Sequence, residues 1–184
     1  DSGLRTYNVT NPDFRPMSHS RGEISTLVMP HMANILGDLF GGNLMAMVDQ
    51  AAAIAAIRHA GGAAVTASIH RVDFRERIPM GSLVTCRATV DFVGNSSMDI
   101  TVEVTAEKPS TGERRLTHTA RVVFVAIDDY GRPRRVPRLV AEQPGAHHRR
   151  QRERDEAGHQ HRHRHRQREF REQLAGVAGG EHQR

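Results

Sequence analysis

One carboxylate stands out in this chain. Asp49 sits in the run Met47-Val48-Asp49-Gln50-Ala51-Ala52, where its own segment offers few groups to satisfy a charge. A carboxylate placed among apolar neighbours is a candidate general base or nucleophile. The bland alternative is an aspartate hydrogen-bonded across an interface, or reaching solvent beside Gln50, and spacing alone does not choose between the two. Eight residues earlier, Phe40-Gly41-Gly42 opens the same segment. Glycines at the start of a helix let a ligand approach backbone N–H groups polarised by the helix dipole, which is an oxyanion hole in outline, although Gly-Gly before a helix is more often a plain turn. Asn34 and Asp38 lie in the preceding loop. An asparagine there can orient a water or a substrate oxygen, or simply make the turn.

The segment carrying Asp49 reads as a helix over 42–59, because good helix formers fill it and Gly61-Gly62 supplies a stop. Leu44, Met45, Met47, Val48, Ala51, Ala52, Ile54, Ala55 and Ile57 surround it almost completely, which predicts a helix buried on most sides. A helix rises about 1.5 Å per residue, so Gly41 and Asp49 stand on the order of 12 Å apart. One carbonyl does not easily touch both. If both act on the same carbonyl, they come from different protomers with antiparallel helices side by side, and the catalytic reading predicts an obligate dimer.

Beyond the helix the chain reads as strand. Val84, Cys86, Ala88, Val90 and Phe92 alternate with Thr85, Arg87, Thr89 and Asp91; Met98, Ile100, Val102, Val104 and Ala106 alternate with Asp99, Thr101, Glu103, Thr105 and Glu107. Both patterns are those of half-buried antiparallel strands. Residues 65–74 form a further strand whose alternation slips near His70 and Arg71, as a bulge would produce. Residues 116–127 make the last long strand, closed by a turn over 128–131, and 23–29 lead the series. The order is β-α-β-β-β-β. One buried helix and one long antiparallel sheet give an α+β architecture, a curved sheet wrapped on a central helix, which is the hot-dog layout. A ferredoxin-like or cystatin-like sheet on a helix competes, but those helices need only one apolar face.

The ends differ from this middle. Residues 1–16 are polar and aperiodic and read as a flexible lead-in, with Met17-Ser18 a natural start; 17–139 form the domain; 140–184 are a His/Arg-rich low-complexity tail. The net charge of +5 invites a nucleic-acid reading, yet ten Arg against seven Asp and Glu within 142–184 supply +3 of it. With no Trp and 4% aromatic residues, stacking platforms for single strands are also scarce, so nucleic acid is set aside as a partner. The single cysteine, Cys86, excludes an internal disulfide framework. No long apolar run suggests membrane insertion, and the chain reads as soluble and cytoplasmic.

An ordered set of short motifs goes further: His31-x-x-Asn34-x-x-Gly37-x-x-Phe40-Gly41-Gly42-x6-Asp49, then Val65-Thr66-Ala67-Ser68, Phe74 with Pro79 and Gly81, Gly94-x-Ser96-Ser97-Met98, and Phe124-Val125-Ala126-Ile127-Asp128 with Pro133 and Val136-Pro137. Over about 22–139 this set resembles the acyl-CoA hydrolase branch of the hot-dog thioesterases, the branch that includes the brain-type acyl-CoA hydrolases. The resemblance implies hydrolysis of fatty acyl-CoA to CoA and a free carboxylic acid. It implies homodimers with shared active sites, pairing into hexamers as trimers of dimers. It also implies that Asp49 and Asn34 are the catalytic pair, with Gly41 and Gly42 polarising the thioester carbonyl. No metal or cofactor is needed, CoA being part of the substrate. The tail departs from the short amphipathic C-terminal helix such a relative would carry.

For the CoA moiety, Ser96 and Ser97 offer small donors, though their stretch is first a hairpin turn. Arg71 and Arg75, with Arg77, form a basic group suited to phosphates or a solvated face. The alternative function is a non-catalytic acyl-CoA-binding sensor on the same scaffold, against which the intact Asp49 and Asn34 argue. A hydratase would need a His/Asp pair at the mouth of the helix, and the sequence shows none. Met45, Met47 and Met98 suit an adaptable acyl pocket or an ordinary core, so acyl chain length does not follow.

Overall fold

The computed structural model describes residues 13–74 and 76–140. The expected lead-in and tail therefore lie outside the described residues, apart from 13–16 and 140. The elements in chain order are β1 (Phe14–Pro16), a 3-10 turn (Met17–Ser20), β2 (Gly22–Leu27), a second 3-10 turn (Pro30–Met32), α1 (Gly41–Ala60), β3 (Ala64–Phe74), β4 (Leu83–Val93), β5 (Ser97–Lys108), β6 (Glu113–Ala126) and β7 (Arg138–Val140). Five strands form one antiparallel sheet in the order β2-β4-β5-β6-β3. It curls around one side of α1, which touches all five. This is the expected hot-dog architecture.

Period-two patterning sets the core. Val84, Cys86, Ala88 and Val90 on β4, and Met98, Ile100, Val102, Val104 and Ala106 on β5, are all buried against Leu44, Met47, Val48, Ala51, Ala52, Ala55 and Ala56 of α1. Phe92 departs from this pattern and stands 49% exposed. A register shift between Val90 and Phe92 inserts a residue into β4, so every side chain beyond it changes face. In β3 the expected slip is present, with shifts between Thr66 and Ser68 and between Ile69 and Arg71.

Two further expectations change. Residues 14–16 are a strand paired in parallel with β7, and Arg15 donates a 2.7 Å hydrogen bond to the Arg58 carbonyl at the end of α1. Arg134 reaches the Ala60 carbonyl from the other side. Two guanidinium groups thus satisfy the carbonyls that a helix leaves open at its C-terminus, where the dipole favours cations. Gly61, at φ +66, ends the helix and donates to Ile57. Secondly, the helix is not covered all round. The sheet hides the face of Leu44, Val48, Ala51 and Ala55, while Ala46, Gln50 and Ile57 are exposed and Met45, Asp49, Ala53 and Ile54 are half-buried. Among the described residues no helix is long and apolar enough to cross a membrane.

The helix sits unusually close to the sheet at one point. A Cβ on Gly22 would lie 2.2 Å from the Ala51 carbonyl oxygen, and backbone at both sides leaves nothing to swing away. Gly22→Ala is expected to destabilise the fold by about 1–3 kcal/mol, read from the midpoint of denaturant unfolding.

His59, 0% exposed, joins three segments: its Nδ1 lies 2.7 Å from Ser20 Oγ and its Nε2 lies 2.9 Å from the Pro137 carbonyl. Burial pushes its pKa below 6.5, with the Pro137 contact partly opposing. The unfolded chain therefore binds the proton more tightly than the native one. Stability is full above the unfolded value and falls as pH drops below it toward the folded value. Unfolding free energy measured from pH 7.5 to pH 5 should decline over this window, and His59→Leu should flatten the slope; an unchanged slope would remove His59 as its source.

Candidate active site

The loop before α1 is built on Asn34. Its side-chain Oδ1 accepts hydrogen bonds from the Leu36 N–H at 2.8 Å and the Asp38 N–H at 3.2 Å, while its backbone N–H donates to the Asp38 carbonyl at 2.7 Å. Two backbone donors on one oxygen fix the amide orientation, so the Asn34 NH2 is a donor and nothing else toward a ligand. The turn and the ligand roles are compatible. Leu39 and Met80 then tie this loop to the 78–80 segment through Leu39 N–H to Ile78 and Met80 N–H to Gly37.

At the end of the loop, Phe40 is the N-cap of α1 and supplies no side-chain hydrogen bond. The first-turn N–H groups of Gly41 and Gly42 have no intrahelical acceptor by geometry, and the positive end of the helix dipole lies there. Phe40 folds back over Gly42, where a Cβ would stand 2.6 Å from its ring. The glycine leaves room for the ring and keeps the backbone open.

Asp49 lies two turns further along the same helix. It is half-buried, on the face the sheet leaves open, and its Oδ1 accepts a 2.7 Å hydrogen bond from Thr66 Oγ1 on the edge strand β3. One carboxylate oxygen is thereby fixed. Thr66 belongs to the sequence motif over 65–68, but its role needs the pairing of β3 beside α1, which spacing along the chain does not reveal.

A cleft of about 530 Å³ opens at the helix N-terminus, lined by Asn34, Gly41, Leu39, Leu44, Ile78 and His118, with Leu36, Asp38, Glu76 and Arg77 around them. Two of the expected site residues, Asn34 and Gly41, thus come together, and Asp49 is not among the lining residues. Continuity of α1 from Gly41 to Ala60 keeps Asp49 about 12 Å along the axis from Gly41 within one chain. Asp38 pairs with Arg77 at 2.6 Å.

His118 is a lining residue that the sequence reading did not single out. Strand β6 brings this histidine to the cleft that Asp38 also lines. The sequence carries a signal for it: counting back by twos from Phe124 puts His118 on the inward face.

Ser96 and Ser97, expected to hold the CoA moiety, are not among the residues that line this cleft. Ser96 and Ser97 belong to the β4–β5 hairpin, whose Gly94 N–H donates to the Ser97 carbonyl, and Ser97 is buried. The turn reading is the one the structure contains. Of Arg71 only the strand register is described, opposite Arg121, and Arg75 lies outside the described residues. Cys86 is fully buried, and burial pushes its thiol up to about 12, so it is no nucleophile. Among the described residues no three His, Cys, Asp or Glu side chains cluster as metal ligands would.

Residues 36–113 match the thioesterase superfamily model. The uncharacterised acyl-CoA thioester hydrolase YkhA of Bacillus subtilis is 40% identical over 131 residues, covering 71% of this chain and 76% of that protein. Among solved structures, an apo-hexameric acyl-CoA thioesterase is 37% identical with a TM-score of 0.69, covering 71% of this chain and 84% of that one. The acyl-CoA hydrolase of Staphylococcus aureus, solved with butyryl-CoA, CoA and CoA disulfide, is 32% identical with a TM-score of 0.73 over 90% of this chain and 99% of that one. The same enzyme has been solved with an asparagine, an aspartate and a threonine each replaced by alanine, at intervals of fifteen and then seventeen residues. By fold and by sequence, this chain belongs to the acyl-CoA thioester hydrolase family of hot-dog thioesterases.

Proposed function

We propose that the protein hydrolyses acyl-CoA thioesters at a site shared between two protomers. The observation that carries this is the Thr66–Asp49 hydrogen bond, which holds a half-buried carboxylate ready on the open face of a helix whose uncapped N-terminus lines a cleft. Asn34, Asp49 and Thr66 stand at the same intervals as the three residues replaced in the Staphylococcus aureus enzyme. In one protomer Gly41 and Gly42 N–H groups receive the thioester oxygen and Asn34 donates to the water or carbonyl beside it; Asp49 comes from the partner. With Oδ1 engaged by Thr66, Oδ2 takes the proton of the attacking water. The oxyanion that forms is held by the helix N-terminus, and its collapse breaks the C–S bond. The leaving thiolate takes back the proton, releasing CoA and a carboxylic acid.

The dimer is supported by the 12 Å axial span and by exposed apolar groups in the right places. Ile57 on α1 and Val65 and Ile69 on the neighbouring edge strand β3 are 47%, 44% and 38% exposed, a surface suited to a second copy. A hexameric relative supports assembly beyond the dimer, which we read as a trimer of dimers.

Release of CoA thiol from short, medium and long acyl-CoAs measures the activity. Asp49→Ala should lower kcat by about 10²–10⁴ with the oligomer intact. Thr66→Ala should lower kcat about 10–100-fold with little change in KM, and Thr66→Ser should restore it. Binding of acyl-CoA with no turnover by the native protein would leave the sensor reading in place. Mixed oligomers of Asp49→Ala and Asn34→Ala protomers should regain part of the lost turnover, because one site per mixed dimer is then whole; a site contained in one protomer gives no such rescue. A single turnover in ¹⁸O-water should put label directly in the acid product, and label appearing first in Asp49 would replace general-base attack by an anhydride route.

A further inference from the structure

A helix commonly closes its N-terminus with a serine, threonine, aspartate or asparagine at the N-cap, whose side chain accepts a hydrogen bond from the N–H of the second or third helical residue. In α1 the N-cap is Phe40, which supplies no such acceptor. The uncapped end suits the proposed reaction. A conventional cap would compete with the thioester oxygen for the first-turn N–H groups.

The helix end is instead held from the opposite direction. Asn43, the third residue of α1, donates from Nδ2 to the Met32 carbonyl at 3.1 Å, and the Phe40 N–H donates to the same carbonyl at 2.9 Å. A carbonyl oxygen has two lone pairs, and both are used. Here the helix side chain is the donor and the loop is the acceptor, the reverse of an N-cap. The loop is fastened to the helix without spending a helix N–H.

What is fastened is a small hairpin carrying Asn34. Ala33 bridges to Leu39, the Asn34 N–H donates to the Asp38 carbonyl at 2.7 Å, and the Asn34 side chain accepts from the Leu36 and Asp38 N–H groups. Asn34 is therefore fixed within the hairpin, but its place relative to Gly41 depends on how the hairpin sits against the helix. The Phe40 bond lies at the chain link between the two and acts as a hinge. The Asn43 bond comes from three residues further along and resists rotation about it. Asn43 is half-buried and does not line the cleft.

We propose that Asn43 is a positioning residue for the hydrolysis: by holding Met32 it sets Asn34 relative to the helix N-terminus while leaving that terminus uncapped. The proposal rests on the hydrolase reading above. Asn43 takes no part in bond making and acts through Asn34 and the first turn of α1.

The test compares the native full chain with Asn43→Ala, Asn43→Asp and Asn43→Gln, in steady-state hydrolysis of whichever short, medium or long acyl-CoA the native chain turns over fastest. Amide hydrogen exchange of segments 33–42 and 97–108 is measured alongside. Asn43→Ala should lower kcat by about 10–100-fold, the cost of misplacing a group by about an ångström, with KM changed by less than about threefold. Exchange should quicken in 33–42 and stay unchanged in 97–108. Asn43→Asp keeps the shape but loses the donor, so its kcat should fall at least as far; Asn43→Gln keeps an NH2 and should restore part of the loss. Native kcat in Asn43→Ala or Asn43→Asp overturns the proposal, and so does a loss confined to KM. Should Asn43→Ala not fold, equal kcat in the Asp and Gln variants removes the donor role. Turnover of no ester by the native chain would sink the hydrolase reading instead; exchange then decides the role of Asn43, and a rate in 33–42 that Asn43→Asp leaves unchanged overturns it.

Discussion

Where the β2 backbone meets the backbone of α1 there is no room for a side chain. The Ala51 carbonyl stands where the Cβ of residue 22 would be, and Ala51, Ala52, Ala55 and Ala56 present only methyl groups to the sheet. That close seating fixes the depth and rotation of a twenty-residue helix, and the groups of the candidate site that α1 carries are placed by it. It sets Gly41 at the cleft. It also turns Asp49 to the open side, within 2.7 Å of Thr66. Small residues at this contact therefore matter for chemistry as well as for packing: a larger one would lift the helix and move donors and carboxylate together.

A rigid helix carrying both groups makes them inseparable and also unable to meet. Their axial distance of about 12 Å is a property of helix geometry, and no rearrangement of loops shortens it. The N-terminal end offers partial positive charge to a developing oxyanion, while the mid-helix carboxylate sits where that field has largely faded. Two antiparallel copies would place the donor end of each beside the carboxylate of the other. The face of α1 that the sheet leaves open, apolar at Ala53, Ile54 and Ile57, is consistent with such a pairing.

Much of the fold is legible because local pattern and tertiary structure agree. The alternation in β4 and β5, the stop at Gly61 and the slip in β3 each have one physical meaning, and the structure contains all three. Phe92 escapes that reading because a bulge is decided by pairing across strands, which alternation within one strand does not encode. Residues 14–16 escape it for the same reason: their partners lie more than a hundred residues away. Asp49, Asn34 and Gly41 are legible as types in unusual places. Thr66 is visible only inside a motif, and His118 emerges only when the last strand is read for phase as well as for length.

In the proposed reading Asn34 serves fold and chemistry together. Its oxygen is consumed by two backbone N–H groups of its own turn, which would be a loss if the site needed an acceptor there. The proposed reaction uses a donor there. Because the amide cannot flip without abandoning both turn hydrogen bonds, the direction of its NH2 group is already determined, and the proposed chemistry would need little further ordering of it. The same turn ties Gly37 to Met80 and Leu39 to Ile78, so the wall of the cleft and the donor are held by one set of backbone bonds. In the proposed reading the amide only donates, and the proton of the attacking water goes to Asp49 of the neighbouring protomer.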